Sequence, residues 1–279
     1  MKSIYTIILF CFLLSSISAQ NVHIYEIQSN GAKGRLLRME EFQDKQLTTI
    51  SQYDENKTLE FVISNRYDDK KQLIKEVKTL KKEHEYDLIT EYYYNSEGRK
   101  SGVLRGNNLT GKWYSERYLY NANNDLDTIF YYQKNGDLTS ILVHQYEYDA
   151  QKREVKLIRK NMDTEMDEEI NRSIFQYEYN GSNFDKKITE KDEKGIIVYQ
   201  EWINNTSSGQ PQSVSYKMQD FPTFKTVYSY NSSKKLSKKV KYSDEKLSTT
   251  TFYKYNSSGK IIQEKSKTTN GYYGEIYVY

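Results

Sequence analysis

Along most of residues 50–265, apolar and polar side chains alternate in short runs, and each run is cut by a cluster of Asn, Asp, Gly, Ser or Lys. Alternation with period two predicts half-buried β-strands, and the clusters predict turns. The cuts share a form, Tyr-x-Tyr-(Asn/Asp)-x-x-(Gly/Asn/Lys)-x-(Leu/Ile). The fullest copies begin at Tyr92, Tyr118, Tyr228 and Tyr253, with weaker ones at Tyr146 and Tyr177 and half-copies at Tyr53, Tyr67, Tyr132 and Tyr242. The last tyrosine of each copy falls at 53, 67, 94, 120, 132, 148, 179, 230, 242 and 255. Gaps of 12 to 16 recur, and gaps of 26 or 27 read as places where one copy has faded, so the underlying period is about 13.

Each part of the unit has a physical job. Tyr-x-Tyr sets two rings on one face of a strand. Asn95, Asn121, Asn231 and Asn256 are expected to open turns by bonding their own backbone, and Gly98 and Gly259 to close them in the left-handed conformation, with a bulge. A Leu or Ile then restarts the next strand. One strand of about eight residues plus one turn returns the chain on itself, so the units predict an all-β fold: a long antiparallel meander of roughly 16 to 20 strands. A sheet that long must twist, curl or partly close. No segment keeps the helical spacing of apolar residues over three turns.

Composition adds the location. The first residues carry Lys2, an apolar stretch from Ile4 to Leu14, and small residues up to Ala19. This is the layout of a secretory signal peptide over 1–19, leaving 20–279 as one repeat domain that is exported to the periplasm, the outer surface or the medium. The only cysteine, Cys11, lies in that leader, so the exported chain is expected to have no disulfide and no cysteine metal site. No apolar stretch long enough for a membrane helix follows. The 41 basic and 38 acidic residues nearly balance at +3, which gives no electrostatic case for nucleic acid. Tyrosine is abundant, at 28 of 279 residues.

The Tyr-x-Tyr-Asn-x-x-Gly-x-Leu copies resemble the YD repeats of the RHS family, and smaller secreted bacterial proteins that carry such turns on a rolled sheet. Asn replaces Asp in most of the full copies, and the Gly is often lost. What the resemblance implies is architecture, a curled antiparallel sheet at or outside the cell surface.

Catalytic motifs are absent from the sequence. His23, His84 and His144 are scattered, and no Gly-x-Ser-x-Gly elbow or phosphate-binding glycine loop occurs. Asp163, Glu165 and Asp167 have the alternate spacing of a calcium loop, but Glu168 stands where the sharp-turn Gly belongs. No metal, cofactor or catalytic residue is therefore expected. Gly102–Gly111 reads as a loop leading to Trp113 and Tyr114, and Trp202 precedes an irregular stretch at 204–211; Trp113, Tyr114 and Trp202 are the candidate binding residues, since an aromatic beside a polar loop suits sugar stacking. The runs Lys81-Lys82, Lys234-Lys235 and Lys238-Lys239 read as solvated faces and as guards against edge-to-edge association. The leading expectation is an exported non-enzymatic binding or scaffold protein whose partner is a glycan or an envelope protein. The alternatives are a carbohydrate-active enzyme with an unmarked carboxylate pair, and an outer-membrane barrel, for which the alternate aromatics of Tyr277-Val278-Tyr279 speak.

Overall fold

The computed structural model describes residues 19–28, 30, 32–81, 85–165, 168–181, 184–269 and 271–279. The expected signal peptide up to Ser18, Cys11, His84 and Asp167 lie outside the described residues. The strands in chain order are β1 (Ala19–Ile27), β2 (Lys33–Gln43), β3 (Gln46–Tyr53), β4 (Leu59–Tyr67), β5 (Leu73–Leu80), β6 (Tyr86–Tyr94) and β7 (Lys100–Asn107). They continue with β8 (Lys112–Tyr120), β9 (Leu126–Gln133), β10 (Leu138–Tyr148), β11 (Glu154–Met162), β12 (Glu169–Gly181), β13 (Phe184–Lys191) and β14 (Ile197–Asn205). The last are β15 (Pro211–Met218), β16 (Phe224–Tyr230), β17 (Leu236–Ser243), β18 (Lys246–Tyr255), β19 (Ile261–Thr268) and β20 (Gly271–Val278).

Consecutive strands pair antiparallel throughout, and β20 returns to β1 with Tyr277 opposite Ile24 and His23 opposite Val278. The sheet is therefore a closed up-and-down barrel of 20 strands, not a partly closed one. Closure removes every free sheet edge, so the strand lysines have no edge to guard. At about 4.8 Å per strand and a typical tilt, a circular ring of this many strands is roughly 40 Å across, too wide for side chains from opposite walls to fill.

The ladders carry one face continuously around the ring: Tyr92 stands opposite Val103, Val103 opposite Glu116, and Glu116 opposite Tyr131. That face holds most of the buried side chains, among them Val22, Ile24, Val103, Leu157 and His144, with Thr251 and Ser266 sharing a buried hydroxyl bond. It is the interior. Gln145, Glu147, Arg117 and Lys225 on the alternate positions are exposed. Few residues are buried because the wall is one sheet thick.

Turns alternate between two rims. At one, even-numbered strands hand over to odd ones; at the other, odd to even. The full sequence copies all close turns of the first rim, and the last tyrosines Tyr94, Tyr120 and Tyr148 recur there at intervals of 26 and 28. The structural repeat is thus a hairpin of about that length, and the period of about 13 is that of a single strand. Half-copies at Tyr53, Tyr132 and Tyr242 end odd strands, at the opposite rim. After Tyr53 and Tyr132 the turn is of the same kind, closed by Lys57 and Gly136 at φ of 63° and 88°, whereas Tyr242 precedes a two-residue turn at Asp244 and Glu245. The last tyrosine of a copy marks a register shift, as at Tyr94, Tyr120, Tyr148, Tyr230 and Tyr255, which is the bulge that closes the turn.

Candidate functional site

The first rim is built from the turns upward. Asn95 Oδ1 accepts from the backbone N–H groups of Glu97 and Arg99 at 3.1 and 2.9 Å, and Asn121 and Asn231 repeat the arrangement. Asn256 Oδ1 accepts from Lys260 N at 2.9 Å. Gly98 and Gly259 take φ of 79° and 81° at the fourth turn position. Lys71, Lys152 and Lys234 fill the same position with φ of 57° to 64°. Above each turn a tyrosine crosses to the neighbouring hairpin. Tyr94 donates to Leu73 O at 2.8 Å, Tyr120 to Lys100 O at 2.7 Å, Tyr146 to Leu126 O at 2.8 Å and Tyr179 to Glu154 O at 2.8 Å. Tyr230, Tyr255 and Tyr279 do the same to Pro211, Leu236 and Ile261, each at 2.7 Å. Turns also bond turns: Gln72 to Gly98 O at 2.7 Å, Lys235 to Gly259 O at 3.0 Å, and Lys260 to Gln20 across the closure at 2.8 Å.

The interior wall is aromatic and charged. Arg105 pairs with Glu116, which also accepts from the Tyr118 hydroxyl. Arg38 reaches Glu40 at 2.8 Å and Glu275 at 3.8 Å, and Glu275 accepts from Tyr277 at 2.8 Å. Burial, followed by these carboxylate bonds, pushes the hydroxyls of Tyr118 and Tyr277 well above the usual tyrosine range, and Tyr177 rises the same way beside Glu154. Burial pushes Tyr146 and Tyr199 up to about 12. These hydroxyls stay protonated at any physiological pH, so they donate hydrogen bonds and cannot serve as bases. His144 stacks on Tyr146 with centroids 6.3 Å apart, is 6% exposed, and leaves Nδ1 without a partner. Burial and then the Arg159 charge hold its pKa below the ordinary value. The Glu-x-Tyr pattern at Glu116–Tyr118 and Glu275–Tyr277, two residues apart and so on one face, was the sequence signal for these interior pairs.

The expected binding residues do not converge. Residues 102–107 lie inside β7, and the loop shrinks to 108–111; likewise β14 runs to Asn205 and β15 begins at Pro211. Trp113 faces outward opposite Gly106, and a Cβ on that glycine would fall inside the indole ring. The ring therefore roofs a strand glycine, two residues beyond the loop at 108–111. Tyr114, next along the strand, points to the interior, is 50% exposed, and lies 5.8 Å from the Arg105 guanidinium. Trp202 faces outward between Lys187 and Ser215, half-buried, with β9 to β13 separating it from Trp113. Among the described residues, no group of three His, Cys, Asp or Glu side chains is placed to hold a metal ion. Asp163 N donates to Glu168 O at 2.7 Å.

No family model matches the sequence, and no curated protein matches it. Among solved structures, it is similar to a chain of the Photorhabdus luminescens Tc holotoxin pore, at 13% identity and a TM-score of 0.36 over 86% of this chain and 16% of that one. It is also similar to a porin-like protein from Bacteroides uniformis, at 8% identity and a TM-score of 0.36 over 92% of this chain and 96% of that one. A chain of TcdB2-TccC3-Cdc42 matches at 11% identity and a TM-score of 0.30, over 89% of this chain and 17% of that one. At these TM-scores none of the three bears on what this chain does.

Proposed function

We propose that the chain is an exported, non-enzymatic binding scaffold of the cell envelope or its exterior, with a glycan or an envelope protein as partner. The observation that carries this reading is the engagement of the interior polar groups: Arg105 and Tyr118 on Glu116, Arg38 on Glu40, Tyr277 on Glu275, and the rim hydroxyls on carbonyls. Groups held this way stiffen a wall, whereas a general acid or base needs a proton poised to move near neutral pH. Neutral tyrosines suit stacking on sugar rings and donation to sugar hydroxyls. The outward lysines Lys225, Lys238, Lys254 and Lys265 argue for a barrel standing in water, since a lipid-facing wall needs an apolar residue at each outward position.

The enzyme reading has one feature in its favour. On the interior, Glu264 stands opposite Glu275, and Glu275 opposite Glu26, which brings carboxylates from β19, β20 and β1 into one row. Incubation of the purified exported chain with envelope fraction, peptidoglycan fragments and soluble glycans tests both readings. Capture without release of new reducing ends supports the scaffold. Turnover that is lost in Glu275→Gln overturns it.

A further inference from the structure

The outer face of the barrel divides into two sectors. On β5 to β13 outward lysines other than Lys191 are matched by acids, among them Lys75 with Glu91 at 2.8 Å, Lys156 with Glu147 at 2.6 Å, and Lys187 with Glu178 at 2.8 Å. The Lys75 ammonium holds the Glu91 carboxyl below the usual range. From β15 to β20 the outward ladder positions carry Lys217, Lys225, Lys238, Lys254, Lys265 and Lys267, and none carries Asp or Glu. None of these lysines forms an ion pair among the described residues; acids return on this side only in turns, at Asp220, Asp244 and Glu245.

Within the unmatched sector, Lys238, Phe252, Lys265 and Gly274 stand directly opposite one another across β17 to β20. Phe252 is 43% exposed, with the Lys238 ammonium 5.9 Å from its centroid. Tyr272 is 37% exposed, with Lys265 and Lys267 at 4.0 and 5.8 Å from its ring. A groove of about 410 Å³ runs alongside, lined by Lys238, Leu247, Thr250, Phe252 and Lys267.

We propose that this groove binds an acidic polysaccharide, with sugar rings against Phe252 and Tyr272 and their acid groups on Lys238, Lys265 and Lys267. The proposal rests on the scaffold reading and names its ligand class. Charge complementarity selects the occupant: clustered cations without carboxylates repel one another until an anion sits among them. Two exposed rings beside them suit a ligand that has both a flat apolar face and a charge. A lipid surface fits less well, because sinking these rings among acyl chains would drag the ammonium groups next to them into hydrocarbon.

The test is binding of the purified exported chain to polygalacturonate, with dextran, phosphatidylglycerol vesicles and single-stranded DNA as comparators. The expected result is salt-sensitive binding to polygalacturonate over all three. It should weaken on the order of tenfold in Lys238→Gln/Lys265→Gln. It should also weaken in Phe252→Ala, and be unchanged in Lys156→Gln of the matched sector, with all variants melting like the parent. Preference for vesicles, or equal binding of DNA, overturns the proposal. Full retention of polygalacturonate binding by the double variant overturns the groove but leaves the scaffold reading standing. Failure of the parent chain to bind any glycan or envelope fraction removes both.

Discussion

The two rims use tyrosine differently. At the first, Tyr67, Tyr94, Tyr120 and Tyr255 each send a hydroxyl to a backbone carbonyl of the neighbouring strand, over turns capped by Asp68, Asn95, Asn121 and Asn256. At the second, Tyr53 meets only the sulfur of Met39 at 3.4 Å, and the Tyr132 and Tyr242 hydroxyls find no partner among the described residues. The difference lies in the tyrosine and not in the turn: Lys57 and Gly136 close four-residue turns at the second rim, and each rim holds a two-residue left-handed turn, Asp44–Lys45 at the first and Asp244–Glu245 at the second. What the motif encodes is therefore a rivet between hairpins at one rim, and a tyrosine before a turn at the other rim is only a strand residue.

Removing a rivet together with its ring should have the largest effect. Tyr146→Ala loses stacking on His144 and Tyr148, at 6.3 and 6.1 Å, as well as its bond to Leu126 O, and should cost about 2–4 kcal/mol in urea unfolding. Next is the turn itself. Gly259→Val places a branched residue at φ 81° against the Lys235 side chain and should cost roughly 1–2 kcal/mol, with amide exchange accelerating mainly across 250–265. The sharpest contrast is smaller. Tyr94→Phe deletes only the hydroxyl bond and should lose about 0.5–1.5 kcal/mol, while Tyr132→Phe should lose nothing measurable. Equal losses at the two rims would break the comparison.

The smallest expected effect is one of pH. His144, whose neighbours include Arg159 and Asp127, has its pKa depressed below 6.5 in the folded barrel. Below 6.5 the unfolded chain takes up a proton that the folded one refuses, so this group's contribution is intact above that pH and is lost as pH falls through it. Melting should drop between pH 7.5 and 5.5, and His144→Phe should shed that part of the slope. A parent and variant with superimposable pH profiles would remove the ring from the account.

The strands, their antiparallel order and the Asn-x-x-Gly turns were legible because each depends on residues a few positions apart. What failed was longer in range. Gly102 and Gly106 read as a loop, yet both sit in β7, where Gly102 abuts the Glu116 carbonyl and Gly106 lies under Trp113. The partner that makes a strand glycine tolerable is across the ladder, out of sight along the chain. Trp113 shows the same point, since the glycine it covers, Gly106, stands across the ladder on β7. The row of Lys238, Phe252 and Lys265 is similar: each alternates correctly within its own strand, but turn lengths and bulges decide which residues come abreast. Full closure was likewise beyond local reading, since it rests on pairing Ile24 with Tyr277.

That last ladder sets an order of events. A hairpin here closes over a turn of a few residues, whereas joining β1 to β20 from an open chain means closing a loop of roughly 250 residues, at about 5 kcal/mol of chain entropy before any bond forms. Hairpins and their rivets must therefore accumulate first, each shortening the effective path, and the seam comes together last. Until it does, the chain is a ribbon with two unpaired margins, β1 and β20, each able to pair with another molecule's. Concentration during folding then decides between one ring and a chain of linked ribbons, and Lys260 reaching Gln20 is the latch that marks the ring as complete.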